Sequence, residues 1–235
     1  MTAPVSGLTI AASAMRSAEH RMEVVANNLA NASTDGFKAE QAFARLLDAT
    51  QGAPTVQTRT DLSQGVLRDT GAPMDLAIEG DGFLVVDSPR GERWVRGSSM
   101  TVDPANRLTI GGAPLLGERG PIVLPPSYQD LSIGRDGTVL VDGEVAGRLR
   151  VERPADPTAG VVHEPQGTFV PQGRVAIPPT ERRVEQGALE SSNVNSVSTM
   201  VDMLGIQRHH ALLEKAIRVL DETRETAATQ LGKPV

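Results

Sequence analysis

The chain has 235 residues, with 23 basic and 29 acidic side chains, a net charge of −6, four Phe, one Trp, one Tyr and no Cys. The lack of cysteine excludes a disulfide scaffold and any Cys-ligated zinc or iron–sulfur site. No Lys/Arg cluster interrupts the acidic balance, so a nucleic-acid or anionic-membrane surface has no electrostatic basis.

Residues 5–15, the widest apolar stretch near the start, lack a preceding Lys or Arg. They are too short and too rich in Ser, Gly and Thr to span a bilayer, so neither direct membrane insertion nor a cleaved signal peptide is expected. Of the 23 glycines and 16 prolines, all but six fall between residues 46 and 189. Gly and Pro break regular elements, which predicts two long helical termini around a turn-rich centre. The expected fold is α+β: a discontinuous N- and C-terminal helical coiled-coil domain and a central, mainly antiparallel β domain. The expected boundaries are an N-terminal helical arm over 1–38, an extended connector over 39–64, the β domain over 65–189 and a C-terminal arm over 190–235.

In the first helix Leu8, Ala11, Met15, Ala18, Met22, Val25 and Leu29 recur at steps of three and four, and Leu8, Met15, Met22 and Leu29 are spaced by sevens, as in a coiled-coil seam. The pattern runs to about Ala32, where Ser33, Thr34, Asp35 and Gly36 supply a stop. Asn27, Asn28 and Asn31 are mediocre helix formers in a short span. They either close the helix or bond across to a neighbouring helix and fix its register.

In the centre, strands are expected at 76–79 and 83–87 around Gly80-Asp81-Gly82, at 131–133 and 138–141 around Gly134 to Gly137, and at 144–151 after Asp142-Gly143. Asp-Gly between β-branched runs is a strong hairpin signal. Further strands are expected at 93–95, 107–110, 122–124, 169–170 and 174–177, which together suit a barrel or sandwich. In the C-terminal arm Met203, Ile206, Leu213, Ile217 and Leu220 keep the helical steps, with His210 and Arg224 interrupting. Leu212, Ala216 and Val219 widen the stripe beyond a two-helix seam. Glu214 to Arg218 and Arg218 to Glu222 are spaced as helical ion pairs, and Ser192 or Asn193 is placed to cap the helix. Isolated helices are marginal in water. The arms therefore either order by packing on each other and on other subunits, or form a permanent hairpin within the chain.

Signatures of catalysis are missing: there is no phosphate-binding loop, nucleophile elbow or H-E-x-x-H. His209 and His210 are adjacent, so on a helix they point about 100° apart and chelate poorly. Asp136, Asp142 and Glu144 look like a calcium loop only superficially, because Thr138 and Leu140 take the alternate positions. Glu181, Glu185 and Glu190 show no acid–base partner, and Phe83, Trp94, Tyr128 and Phe169 are scattered along the sequence. No catalytic residue, cofactor or metal is expected.

Four segments carry a resemblance. The run from Ala26 through Asn27-Asn28-Leu29-Ala30-Asn31 to Asp35-Gly36-Phe37-Lys38 closely resembles the N-terminal signature of bacterial flagellar axial proteins, the rod and hook components. In order, Gln64-Gly65 to Gly80-Asp81-Gly82-Phe83, then 107–125, then Gln186-Gly187-Ala188-Leu189-Glu190-Ser191-Ser192-Asn193-Val194-Asn195 are similar to the same family. Ser98-Ser99-Met100 and His209-His210 depart from its usual pattern. The resemblance implies subunits exported unfolded through the flagellar type III apparatus with an uncleaved N-terminal signal, polymerising with themselves and other rod proteins as a helical tube in the periplasm. The terminal helices would form the inner coiled-coil layer. Only 21 residues separate Lys38 from Thr60, which favours a proximal-rod member over a distal-rod one. The expected assembly residues are Leu8, Met15, Met22, Leu29, Leu213, Ile217 and Leu220, with Asn27, Asn28 and Asn31 fixing register. Outside the family, the alternatives are a ligand-binding β module with oligomerisation helices, or a hydrolase, which would need an acidic pair in a cleft.

Overall fold

Asn31 ends the first helix by accepting the Thr34 backbone N–H at its own carbonyl, two residues short of the apolar pattern. The computed structural model describes residues 7–45, 55–156, 161–164 and 167–231, and side chains within 10–43, 57–156, 161–164 and 167–226. These form two compact units: a helical unit from residues up to Ala30, Glu40–Thr58 and Asn195 onward, and a β unit from Asn31–Ala39 and Arg59–Val194.

In the helical unit α1 (Gly7–Ala30) packs on α2 (Ser196–Leu231), and Glu40–Arg45 pairs with Thr55–Thr60. The residues read from sequence as an extended connector thus carry two strands. The cap of α2 is neither Ser192 nor Asn193 but Asn195, whose Oδ1 accepts the Ser198 N–H at 3.0 Å. The spaced pairs Glu214–Arg218 and Arg218–Glu222 do not close. Glu214 faces His210 at 3.7 Å, and His210 also faces Glu19 of α1 at 3.6 Å.

The β unit holds a six-stranded sheet in the order Val162–Glu164, Thr168–Val170, Gly91–Val95, Phe83–Ser88, Val151–Pro154, Arg174–Ala176. A five-stranded sheet runs Val184–Gln186, Asp75–Ile78, Gly97–Val102, Leu108–Ile110, Ala113–Pro114, and Leu131–Ile133, Thr138–Val141 and Glu144–Arg148 form a third. The pairings between these strands are antiparallel. The main apolar core lies among these sheets, with Leu76, Leu84, Val86, Leu108, Leu115, Val139 and Leu149 fully buried.

Three sequence expectations are corrected. Gly80-Asp81-Gly82 is not a hairpin turn but a corner, since Asp75–Ile78 and Phe83–Ser88 belong to different sheets. The run 144–151 is two strands, because Leu149 donates its N–H to Gly137 and Arg150 donates to Leu116, redirecting the chain between sheets. The stretch 122–124 forms no strand of its own: Val123 bridges to Arg107, the Ile122 N–H donates to Leu115, its carbonyl accepts from Leu108, and the Leu124 N–H donates to Asn106. The hairpin of Leu131–Ile133 with Thr138–Val141 forms as expected. The carboxyl group of Asp136 receives the N–H and hydroxyl of Thr138, and Asp142 Oδ1 receives the Gln129 and Asp130 N–H groups, so these acids build turns.

The aromatics, far apart in sequence, are gathered by the fold. Phe83 stacks on Trp94 at 5.1 Å and meets Phe169 edge-on at 5.5 Å, Phe169 meets His163 at 5.2 Å, and His163 meets Phe37 at 5.1 Å. Phe37, Phe83, Trp94 and Phe169 are all buried, so the row is part of the core rather than an exposed ligand platform.

Asp75 sits buried where two hydroxyls converge: Ser99 donates to one carboxylate oxygen and Thr70 to the other. These bonds, Ser99's first, hold its carboxyl below the ordinary aspartate value. A carboxylate depressed in the folded state adds stability above the unfolded value and loses it as pH falls through the folded one. The melting temperature of the full chain should therefore drop between pH 6 and pH 3, and the drop should be smaller in Asp75→Asn. Thermal circular dichroism checks this, and an identical drop in the variant would contradict the assignment.

Candidate functional site

Two places stand out: a buried charge junction in the β unit and an apolar stripe on α2. The junction begins with Lys38 and Arg96, whose side chains are 0% and 1% exposed. A buried cation requires a partner, and both share one carboxylate. Lys38 Nζ donates to Glu190 Oε1 at 2.7 Å and to the Ser63 carbonyl at 2.6 Å, and Arg96 Nε donates to Glu190 Oε2 at 2.7 Å. The Arg96 fork is completed by the Gly82 and Ile78 carbonyls. Burial, and then the Arg96 cation, push the Lys38 ammonium below the ordinary lysine value, while Glu190 pulls the other way.

The backbone closes around the same carboxylate. Gly65 N–H donates to Glu190 Oε1, and Gly36 N–H donates to the Glu190 carbonyl. A Cβ on Gly65 would lie 1.9 Å from the Ser191 carbonyl oxygen, so no side chain fits there. Asn193 completes the bracket: its Oδ1 accepts the Ala39 N–H at 2.7 Å, and its Nδ2 donates to the Asp61 and Ser63 carbonyls. Sequence reasoning passed over Glu190 as a carboxylate without a partner. The available signal was a Lys after a buried Phe in one terminal motif and a Glu among apolar and small residues in the other.

In the helical unit, Ala18 and Ile206 are buried, and Met15, Met22, Val25, Leu29, Met203, His210, Leu213 and Ile217 are half-buried. Leu220 is 38% exposed. Leu8 lies in α1, with its side chain outside the described residues. Asn28 neither closes the helix nor reaches another helix. Its Oδ1 accepts the Glu40 N–H at 2.9 Å and its Nδ2 donates to the Glu40 carbonyl at 2.7 Å, clamping the following strand to α1. Val24, one turn earlier and outside the expected seam, is buried on the same face. Asn31 receives the Thr34 hydroxyl at its Oδ1, as a helix-closing residue does, and Asn27 is exposed. Val197, Val201, Leu204, Leu212 and Val219 on α2 are more than half exposed. Among the described residues there is no cluster of three metal-ligating side chains, and no helix is long and apolar enough to cross a membrane.

Residues 8–38 match the family described as flagella basal body rod protein, residues 77–141 the flagellar hook protein FlgE/F/G D1 domain, and residues 185–231 the flagellar basal body rod FlgEFG protein C-terminal family. The chain is 35% identical to the flagellar basal-body rod protein FlgF of Escherichia coli (strain K12), over 86% of this chain and 89% of that protein. The chain belongs to the flagellar basal-body rod protein family. It is likewise 34% identical to FlgF of Salmonella typhimurium, covering 90% and 92%, and 31% identical to FlgF of Caulobacter vibrioides, covering 97% and 98%. This makes it a FlgF-like rod protein, in a family that is structural rather than catalytic. Each family segment supplies one member of the charge junction: Lys38, Arg96 and Glu190.

Removing one partner of a buried ion pair costs about 3–5 kcal/mol. Glu190→Gln should therefore lower the unfolding free energy of this rod protein by that order, measured by urea denaturation. Adding Lys38→Met should cost less than the sum of the single changes, since each removes what the other leaves unpaired. A Glu190→Gln variant as stable as the parent would contradict the junction's role.

Proposed function

We propose that the chain is a structural subunit of the bacterial flagellar proximal rod. It is exported through the flagellar type III apparatus without a cleaved signal peptide, and assembles helically in the periplasm with copies of itself and other rod proteins to transmit torque. The observation that carries this reading is the likeness to proteins named FlgF over 86% or more of the chain. A relative named FlgG, from Buchnera aphidicola, is 28% identical, which favours the proximal over the distal type.

In this reading residues 1–38 and 190–235 are the arms of an inner coiled-coil layer, 39–64 connect them outward, and 65–189 form the β domain. The exposed stripe on α2 supports it. Scattered surface apolar residues need no explanation, but a contiguous row marks an interaction face, and each such side chain buried by a neighbour adds roughly 1.5–3 kcal/mol. Contacts between different patches of successive subunits do not close into a ring and generate a helical assembly. Leu8, Met15, Met22, Leu29, Leu213, Ile217 and Leu220 form the assembly seam, with Asn27 and Asn31 setting its register. Asn28 acts indirectly by holding Glu40.

Combining Met22→Asp with Ile217→Asp should leave the β-unit circular dichroism intact while blocking rod completion and swimming in complemented cells. Motile cells carrying this double variant would contradict the proposal.

A further inference from the structure

Gly205 lies inside α2, where glycine is costlier than alanine because its unfolded backbone is freer. Apart from its chain neighbours and the helix's own backbone, no described atom lies within 4 Å of the position its Cβ would take, so packing among the described residues gives no reason for the missing side chain. Gly205 lines a groove of about 590 Å³ between α1 and α2, whose α1 side carries the small Ser13, Ala14 and Ser17 and whose larger lining residues include Ile10, Arg21, Asp202 and His209. The small residues let another helix approach that side closely, since the distance between packed helices follows side-chain size. Neither Arg21 nor Asp202 has an ion-pair partner among the described residues.

The matching surface lies further along α2, on its exposed face. Leu212 and Val219, 66% and 52% exposed and two turns apart, make an apolar ridge that no described residue covers. Lys215 and Glu222 flank Val219, and they too lack ion-pair partners among the described residues. A ridge carrying one cation and one anion complements a groove carrying one of each, with Lys215 toward Asp202 and Glu222 toward Arg21.

We infer that the Gly205 groove of one copy receives the 212–219 ridge of α2 from a second copy. This rests on the helical unit being an assembly element, and it names which surfaces meet. Groove and ridge are different patches, so the contact is head-to-tail and leaves both ends open for further copies.

The chain has no cysteine, so introduced thiols report contacts cleanly. Full-length Ser17→Cys and Val219→Cys chains, mixed under mild oxidation, should give a mixed disulfide dimer at least about tenfold above either self-linked dimer. Adding Gly205→Leu to the Ser17→Cys chain should abolish that excess while leaving the helical circular dichroism and melting temperature equal or higher, because the new side chain meets open space and favours the helix. A mixed dimer no more abundant than the self-linked ones, or one indifferent to Gly205→Leu, overturns the inference. Loss of swimming in the Met22→Asp, Ile217→Asp variant without a mixed disulfide would leave the helical unit's role standing and reject this pairing alone. A mixed disulfide with motile variant cells would reject the rod role.

Discussion

Lys38 and Arg96 are both taken out of water, and a buried cation left alone would shed its proton or unfold its surroundings. Glu190 meets both with separate oxygens, and the carbonyls of Ser63, Gly82 and Ile78 take further donors. The three charged residues come from the first family segment, the middle one and the last, so a single carboxylate ties all three segments together. Replacing it would not remove one contact but strand two charges.

The same point fastens the two chain segments that flank the β unit's sheets. Asn193 donates its N–H to the Phe37 carbonyl and accepts from Ala39, while Leu67–Asp69 pairs with Ala188–Glu190 beside them. Phe37 also begins the aromatic row through His163 and Phe169 to Phe83 and Trp94, so the junction is continuous with a core cluster. Both segments are held chiefly by buried ionic and ring contacts, and the exposed Arg68–Asp35 pair beside them adds little.

Local signals were legible and long-range ones were not. The 131–141 hairpin follows from its turn residues and formed where expected; the periodicity marked two long helices, though α1 ends at Ala30 and α2 begins at Ser196 rather than at the expected positions. Gly80-Asp81-Gly82 carries the same local signal as a hairpin, but Phe83–Ser88 finds better partners in Gly91–Val95 and Val151–Pro154, so the turn became a corner between sheets. Asn28 was visible as an anomaly in the helix. Its partner, the Glu40 backbone, lies beyond the helix end, and no helical spacing points to it. Glu190 has no local sign of its role, because its cations lie 152 and 94 residues away. The terminal motifs identified the family, and the fold showed why their charged residues belong together.

Hydrogen exchange under native conditions, resolved by residue on the full chain, tests the junction most directly. The amides of Gly36 and Gly65, which donate to Glu190, should exchange only as slowly as those of the Phe83–Ser88 and Gly91–Val95 hairpin, in one cooperative opening. Fast exchange at Gly36 and Gly65 while that hairpin stays protected would show that the two ends close independently of the core, and that Glu190 does not hold the unit together.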